Sequence, residues 1–188
     1  MAHRFNPDHA DRLLSRERRE SLPPERVLEH LQLTADASLA DVGVGPGYFA
    51  LPAARLTRGA VYGIDVQPRM LELVRAAAAD AGLDNFVALA GDAEAIPLPD
   101  AAVDCVLCAF VLHEVADLAR ALRELRRIAK PRARIALAEW EKVESPAGPP
   151  LSERLERTVL ERAAQEAGFA RAEASNLNPY QYLLACDR

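Results

Sequence analysis

Apolar positions fall into two patterns that alternate along the chain. Short, mostly apolar runs occur at Leu39 to Val42, Gly59 to Asp65, Phe86 to Ala90 and Val103 to Ala109, with further strand-like stretches at Arg134 to Glu139, Phe169 to Ala174 and Tyr182 to Cys186. Short runs of this kind predict buried strands. Between them lie stretches with helical spacing. Tyr48 to Leu56 places Tyr48, Leu51, Ala54 and Leu56 near helical spacing, and Asp117 to Lys130 carries Leu118, Leu122, Leu125 and Ala129 on one helical face. Leu155 to Ala167 predicts another helix, stopped by Gly168. Gln67-Pro68 marks a further helix start, with proline in the first turn. Strands alternating with helices imply a parallel sheet covered on both faces. The last two strands, joined by a stretch with Asn176, Asn178 and Pro179, read as an antiparallel hairpin.

The junction after the first strand carries the chemistry. Asp41-Val42-Gly43-Val44-Gly45-Pro46-Gly47-Tyr48-Phe49 places three glycines between a strand and a helix. Glycines there permit left-handed backbone and a close ligand approach, and the helix start offers free N–H groups. A nucleotide-like ligand is the first hypothesis; a loop without ligand is the plain alternative. The spacing disfavours a pyrophosphate cradle. In the dinucleotide fingerprint the third glycine falls one residue later, where Tyr48 stands. Asp65 ends the second strand, where a carboxylate can accept from vicinal ribose hydroxyls. A helix-capping Asp65 is the alternative. Asp92 follows the third strand in Gly91-Asp92-Ala93-Glu94, where it can also cap a short helical turn at Ala93 to Ile96. The fourth strand runs into Phe110-Val111-Leu112-His113-Glu114-Val115. A histidine just past a strand's carboxyl end suits general-base work, or serves as a structural histidine bonded to a loop.

Taken together, these segments resemble the class I S-adenosylmethionine (SAM)-dependent methyltransferases. The likeness rests on D-x-G-x-G-x-G at Asp41 to Gly47, the strand-end Asp65, a G-D-A segment at Gly91 to Ala93, and an L-H-x-V-type segment at Leu112 to Val115. It extends from Pro24 onward, with residues 1–23 as a leader or possible lid. The family implies a Rossmann-like α/β, doubly wound sheet of about seven strands in the order 3-2-1-4-5-7-6, the last antiparallel. It implies SAM as cofactor and S-adenosylhomocysteine as product. By the same resemblance Asp41, Gly43, Gly45 and Gly47 hold the methionine end, Asp65 and Val66 the ribose region, Asp92 and Ala93 the adenine, and backbone near Cys108 and Ala109 the floor. Lys130-Pro131-Arg132-Ala133 departs from the family's K-P-G-G turn.

Composition narrows the partners. A chain of 188 residues suffices for one domain with little room for a separate substrate domain. Net charge of −5 and 5% aromatic content argue against a nucleic-acid partner. Cys105 and Cys108 face opposite ways on a strand, a poor metal pair despite their spacing, and no metal cluster is visible. The first ten residues lack a signal-peptide core and no run reaches membrane-spanning length, so a cytoplasmic protein without membrane insertion is expected.

The acceptor must be read outside the cofactor motifs. The leader offers His3, Phe5, His9 and the Arg12 to Arg19 charge cluster, as a solvated helix or as a lid. After the fifth strand, Glu139-Trp140-Glu141-Lys142 precedes a proline-rich loop. Trp140 is a candidate substrate face or a core filler. If the acceptor must lose a proton, His113 is the first base, with Glu114 and Glu139 behind it. The arginines of the Asp117 to Lys130 helix read as a solvated face. The expected function is methyl transfer to a small-molecule acceptor. A protein or RNA acceptor and a non-catalytic SAM-binding sensor are the alternatives, and monomer and homodimer both remain open.

Overall fold

The structure, a computed structural model, describes residues 5–188; His3 lies outside the described residues. A 3-10 segment Pro7–Leu14 is followed by α1 (Arg16–Ser21), α2 (Pro24–Leu28), β1 (Leu39–Val42), α3 (Ala50–Leu56), β2 (Val61–Asp65), α4 (Pro68–Asp80) and β3 (Phe86–Ala90). Then come β4 (Val103–Ala109), α5 (Leu118–Ile128), β5 (Ala129–Trp140), α6 (Arg157–Glu166), β6 (Ala170–Asn178) and β7 (Gln181–Asp187). The seven strands form one sheet in the order β3-β2-β1-β4-β5-β7-β6. All neighbours are parallel except β7, which runs antiparallel to β5 and β6.

The two faces of this sheet carry separate cores. Ala121, Leu122, Leu125 and Ile128 of α5 and Leu160 and Ala164 of α6 cover one face, meeting Ala40, Val42, Val106 and Cys108. Val27 and Leu28 of α2, Ala50 and Ala53 of α3, and Leu71 and Val74 of α4 cover the other, meeting Leu39, Cys105, Leu107 and Ala109. Central β1 is buried throughout because both its faces are covered, which explains why three of its four residues are apolar. Cys105 and Cys108 fall in opposite cores, as strand alternation requires.

Several elements differ in detail from the sequence pattern. Tyr48 and Phe49 lie in the turn before α3, where Tyr48 Oη donates to Leu22 O at 2.7 Å and pins the end of the leader. Strand β5 begins at Ala129, so the segment that departs from the K-P-G-G turn lies inside it. Arg132 there adopts φ +69°, the left-handed conformation a glycine would otherwise supply. Strand β6 continues past Ala174 to Asn178 because β7 extends the ladder through Asn176↔Tyr182 and Asn178↔Gln181; this extension is Ser175-Asn176-Leu177-Asn178, too polar to read as a strand. No helix is formed at Ala93 to Ile96, but a single hydrogen-bonded turn is: Asp92 O accepts from Ala95 N and Asp92 Oδ1 from Glu94 N, both at 2.9 Å, so Asp92 caps that turn. Nor are the α5 arginines simply a solvated face. Arg127 donates to Ile96 O, Leu98 O, Asp100 and Glu124, and Arg126 to Gly168 O, so this helix fastens the loops beside it.

Candidate functional site

Parallel pairing brings the carboxyl ends of β1 to β5 to one edge, where the loops after β1 and β4 diverge to opposite faces. Val42 is level with Ile64 and Cys108, Asp65 with Ala90, and Ala109 with Ala138. An opening at such a divergence is where open α/β sheets bind ligands.

The first loop is shaped by its neighbours. Gly43 N and Val44 N both donate to Ile64 O, at 2.7 and 2.9 Å. Gly43, Gly45 and Gly47 have φ of +80°, +51° and +91°. At Gly47 a Cβ would lie 2.7 Å from Val74 Cγ2 and 2.8 Å from Leu51 Cγ, so the turn can bring α3 against α4 only with glycine there. Below the loop Asp41 is buried and accepts from Ala50 N, while its Oδ2 has no hydrogen-bond partner. Burial, followed by the negative charge of Asp65, raises its carboxyl to about 7. Asp65 is also buried: Oδ2 accepts from Gly45 N and Oδ1 from Gln67 N, both at 2.9 Å. The cap of α4 is Gln67 with Pro68 in the first turn, so Asp65 braces the glycine loop rather than capping that helix.

The remaining cofactor candidates sit on the same edge. Val66 is exposed beside Asp65. Gly91 N donates to Asp65 O at 3.1 Å, holding Asp92 and Ala93 next to the β2 end, with Ala93 buried. The Cys108 side chain belongs to the core and its burial pushes the thiol well above its ordinary range, so it offers the edge backbone only. Ala109 is buried beside it.

A second constellation lies across the edge, at the ends of β4 and β5. His113 Nδ1 is 2.8 Å from Glu139 Oε2, and His113 N and Trp140 N also donate to Glu139, both at 3.2 Å. Glu139 is fully buried. A carboxylate only accepts, so Nδ1 carries a proton and Nε2 is left as the basic nitrogen. Burial alone would lower the His113 pKa, but the hydrogen bond and charge of Glu139 outweigh it and raise the pKa above 6.5. Glu114 Oε1 lies 3.8 Å from Nε2, and burial first of all raises its own carboxyl. Phe5 reaches this site through its backbone: its N donates to Glu114 Oε1 at 3.3 Å and its O accepts from Gln67 Nε2 at 3.0 Å. The Trp140 ring lies 5.5 Å from the Phe110 ring, packs against Gly148 and has the Arg154 guanidinium 5.3 Å from its centroid. Arg154 binds carbonyls of Glu141, Val143, Ala147 and Pro149, which holds the proline-rich loop over the tryptophan.

Three participants take on their individual roles only in the tertiary structure. Gln67 ties the leader to Asp65, Phe110 stands at φ +62° just past the carboxyl end of β4, and Arg18 lies over the Tyr48, Phe49 and Phe110 rings. A strained non-glycine residue and a long-range stack arise from tertiary packing, which residue spacing does not encode.

A family model described as a methyltransferase domain matches residues 40–137, just over half of the chain. This chain belongs to the class I SAM-dependent methyltransferases. The crystal structure of a SAM-dependent methyltransferase from Aquifex aeolicus superposes with a TM-score of 0.92 at 31% identity, covering 98% of this chain and 99% of that one. A ubiquinone/menaquinone biosynthesis C-methyltransferase of Hahella chejuensis is 36% identical over 115 residues, covering 60% of this chain and 46% of its own length. The chain thus spans about half the length of the curated relatives it matches. The cyclase SpnF shares the fold alone, with a TM-score of 0.78 at 21% identity over 88% of this chain and 79% of that one.

The cofactor of this methyltransferase family is SAM, and the donor set here fits it. The unpartnered Asp41 Oδ2 suits an ammonium group, and the positive-φ glycines open the loop above it. Among the described residues no helix is long and apolar enough to cross a membrane, and no group of three or more His, Cys, Asp or Glu side chains converges as a metal site.

Proposed function

We propose that this protein transfers a methyl group from SAM to a small-molecule acceptor at the carboxyl edge of its sheet. The observation that carries the reading is the buried Asp41 carboxylate with one oxygen unpartnered beneath a glycine loop. In this reading Asp41 and Gly43 to Gly47 hold the methionine end, Asp65 with Val66 the ribose, Asp92 and Ala93 the adenine, and backbone at Cys108 and Ala109 the floor.

When bound, the cofactor supplies a methyl group already activated on a sulfonium. The protein then contributes alignment for in-line attack and a water-poor setting. Where the acceptor must lose a proton, His113 Nε2 takes it. Glu139 holds the ring through Nδ1–H and stabilises the imidazolium that forms, and the nearby Glu114 charge does the same. Trp140, Phe110 and Phe5 would border the acceptor, with residues 1–23 serving as a lid over a single domain formed by residues 24–188.

A second reading, cofactor binding without methyl transfer, draws support from the burial of His113, whose side chain is only 6% exposed. One experiment separates the two. Calorimetric titration of the purified chain should show micromolar binding of SAM and S-adenosylhomocysteine and none of NAD. Asp65→Ala should weaken that binding by about 1–3 kcal/mol, the cost of unsatisfied polar partners. Failure to bind either sulfur compound would reject the proposal. Binding without turnover across a screen of acceptors, using labelled methyl donor, would favour the second reading.

A further inference from the structure

Arg18 is a cation that forms no ion pair among the described residues. Its neighbours in the leader are exposed and paired, Arg16 with Glu20 and Arg19 with Glu25. Arg18 instead points inward, its guanidinium carbon 4.4 Å from the Tyr48 ring centroid, 5.8 Å from Phe49 and 5.6 Å from Phe110. Its guanidinium makes one hydrogen bond, from Nη1 to Leu13 O at 3.2 Å, and no ion pair among the described residues. Desolvation by burial lowers its pKa to about 10, so holding the charge here has a cost. Aromatic faces offset part of that cost but leave most of its N–H donors unused.

The missing counter-charge has an address. Asp41 lies close enough for each group's charge to act on the other, yet the two do not pair. Asp41 also has the opposite deficiency, an acceptor oxygen with no donor. The glycine loop stands beside both. Leu13, whose carbonyl holds Arg18, places Cδ1 3.7 Å from the position a Cβ on Gly45 would take, so the leader rests directly on the loop. An unsatisfied cation and an unsatisfied anion beside one ligand loop match a molecule carrying an ammonium and a carboxylate on the same carbon.

We propose that Arg18 receives the α-carboxylate of the cofactor's amino-acid end while Asp41 receives its α-ammonium. This assignment rests on the methyltransferase reading and extends it, because it makes the leader a working part of the cofactor site. A guanidinium suits this role, since its planar fork can meet a carboxylate with two parallel hydrogen bonds while its face stays on Tyr48. The leader is then held closed by the amino-acid end of the ligand. The adenosine portion alone does not engage it.

The test compares two ligands on the full chain. S-adenosylhomocysteine carries the amino-acid end; methylthioadenosine has the adenosine and thioether without it. In Arg18→Gln, affinity for S-adenosylhomocysteine should fall by about tenfold or more, as expected for loss of a charged hydrogen bond, while affinity for methylthioadenosine stays within about twofold. Arg18→Lys, which keeps the charge but loses the fork, should recover part of the loss. Equal affinity of Arg18→Gln and the unsubstituted chain for S-adenosylhomocysteine would overturn the assignment. So would an equal loss for both ligands, which would mark a structural role. If the unsubstituted chain binds neither ligand, the methyltransferase reading fails and the assignment falls with it.

Discussion

His113 shows how two neighbouring residues set the chemistry of a third. Glu139 fixes which ring nitrogen carries the proton and raises the imidazole pKa above 6.5 against the pull of burial. The raised value has opposite consequences for stability and for rate. The stabilising contribution of the charged pair is fully present below the unfolded pKa near 6.5 and is lost as pH rises through the higher folded value. Base catalysis needs the neutral ring, so turnover should climb with pH over that same window. A pH profile of turnover should therefore have its acidic limb centred above 6.5. His113→Ala should slow turnover by about 10²–10⁴-fold and leave S-adenosylhomocysteine affinity nearly intact. Normal turnover in that variant would reject His113 as the base. His113 and Glu114 were legible in the chain because they follow the fourth apolar run. Their geometry with Glu139 was not, since it joins two strands that only the sheet makes neighbours.

Among the elements, the turn between β1 and α3 shows what local sequence can and cannot specify. Three glycines identified it as a loop of special backbone, and all three have positive φ. What the spacing did not show is that Gly47 is also a packing position between α3 and α4. Gly47→Ala should destabilise the fold by about 1–3 kcal/mol beyond its backbone strain, because the methyl group would overlap Val74 and Leu51. Gly82→Ala provides the contrast. Its φ is +63° with nothing within 4 Å of the added methyl, so only the left-handed backbone cost of about 1 kcal/mol should appear. Comparable unfolding midpoints for the two variants in denaturant would refute the packing role. The leader was harder to read. Its acidic and basic residues balance, and Arg18 became distinct from Arg16 and Arg19 only where α1 crosses Tyr48. The setting of Trp140 was likewise not legible locally: Arg154, a residue further along the chain, gathers the intervening loop over the ring through its hydrogen bonds.

At the scale of the whole molecule, charge bears on the kind of acceptor. The chain carries a net charge of −5, and arginines that could have formed a basic surface, such as Arg126, Arg127 and Arg154, are engaged with carbonyls and carboxylates of their own chain. Methylation of a small acceptor should then change by about twofold or less between roughly 50 and 200 mM salt, whereas an acceptor bound through many phosphates would lose about 10³-fold or more in affinity. A steep salt dependence of turnover would turn the assignment toward RNA. By itself the sequence determined the alternation of strands and helices, the glycine turn, and the acidic residues at successive strand ends, because hydrophobic period and backbone permissiveness are local properties. The strand order followed from resemblance to a family, and the pairing of the strands bears it out. Only the tertiary structure joined Glu139 to His113, left Asp41 short of one donor, and laid Arg18 over three aromatic rings. Those relations depend on which distant segments share the same edge of the sheet, and that is set by packing rather than by position along the chain.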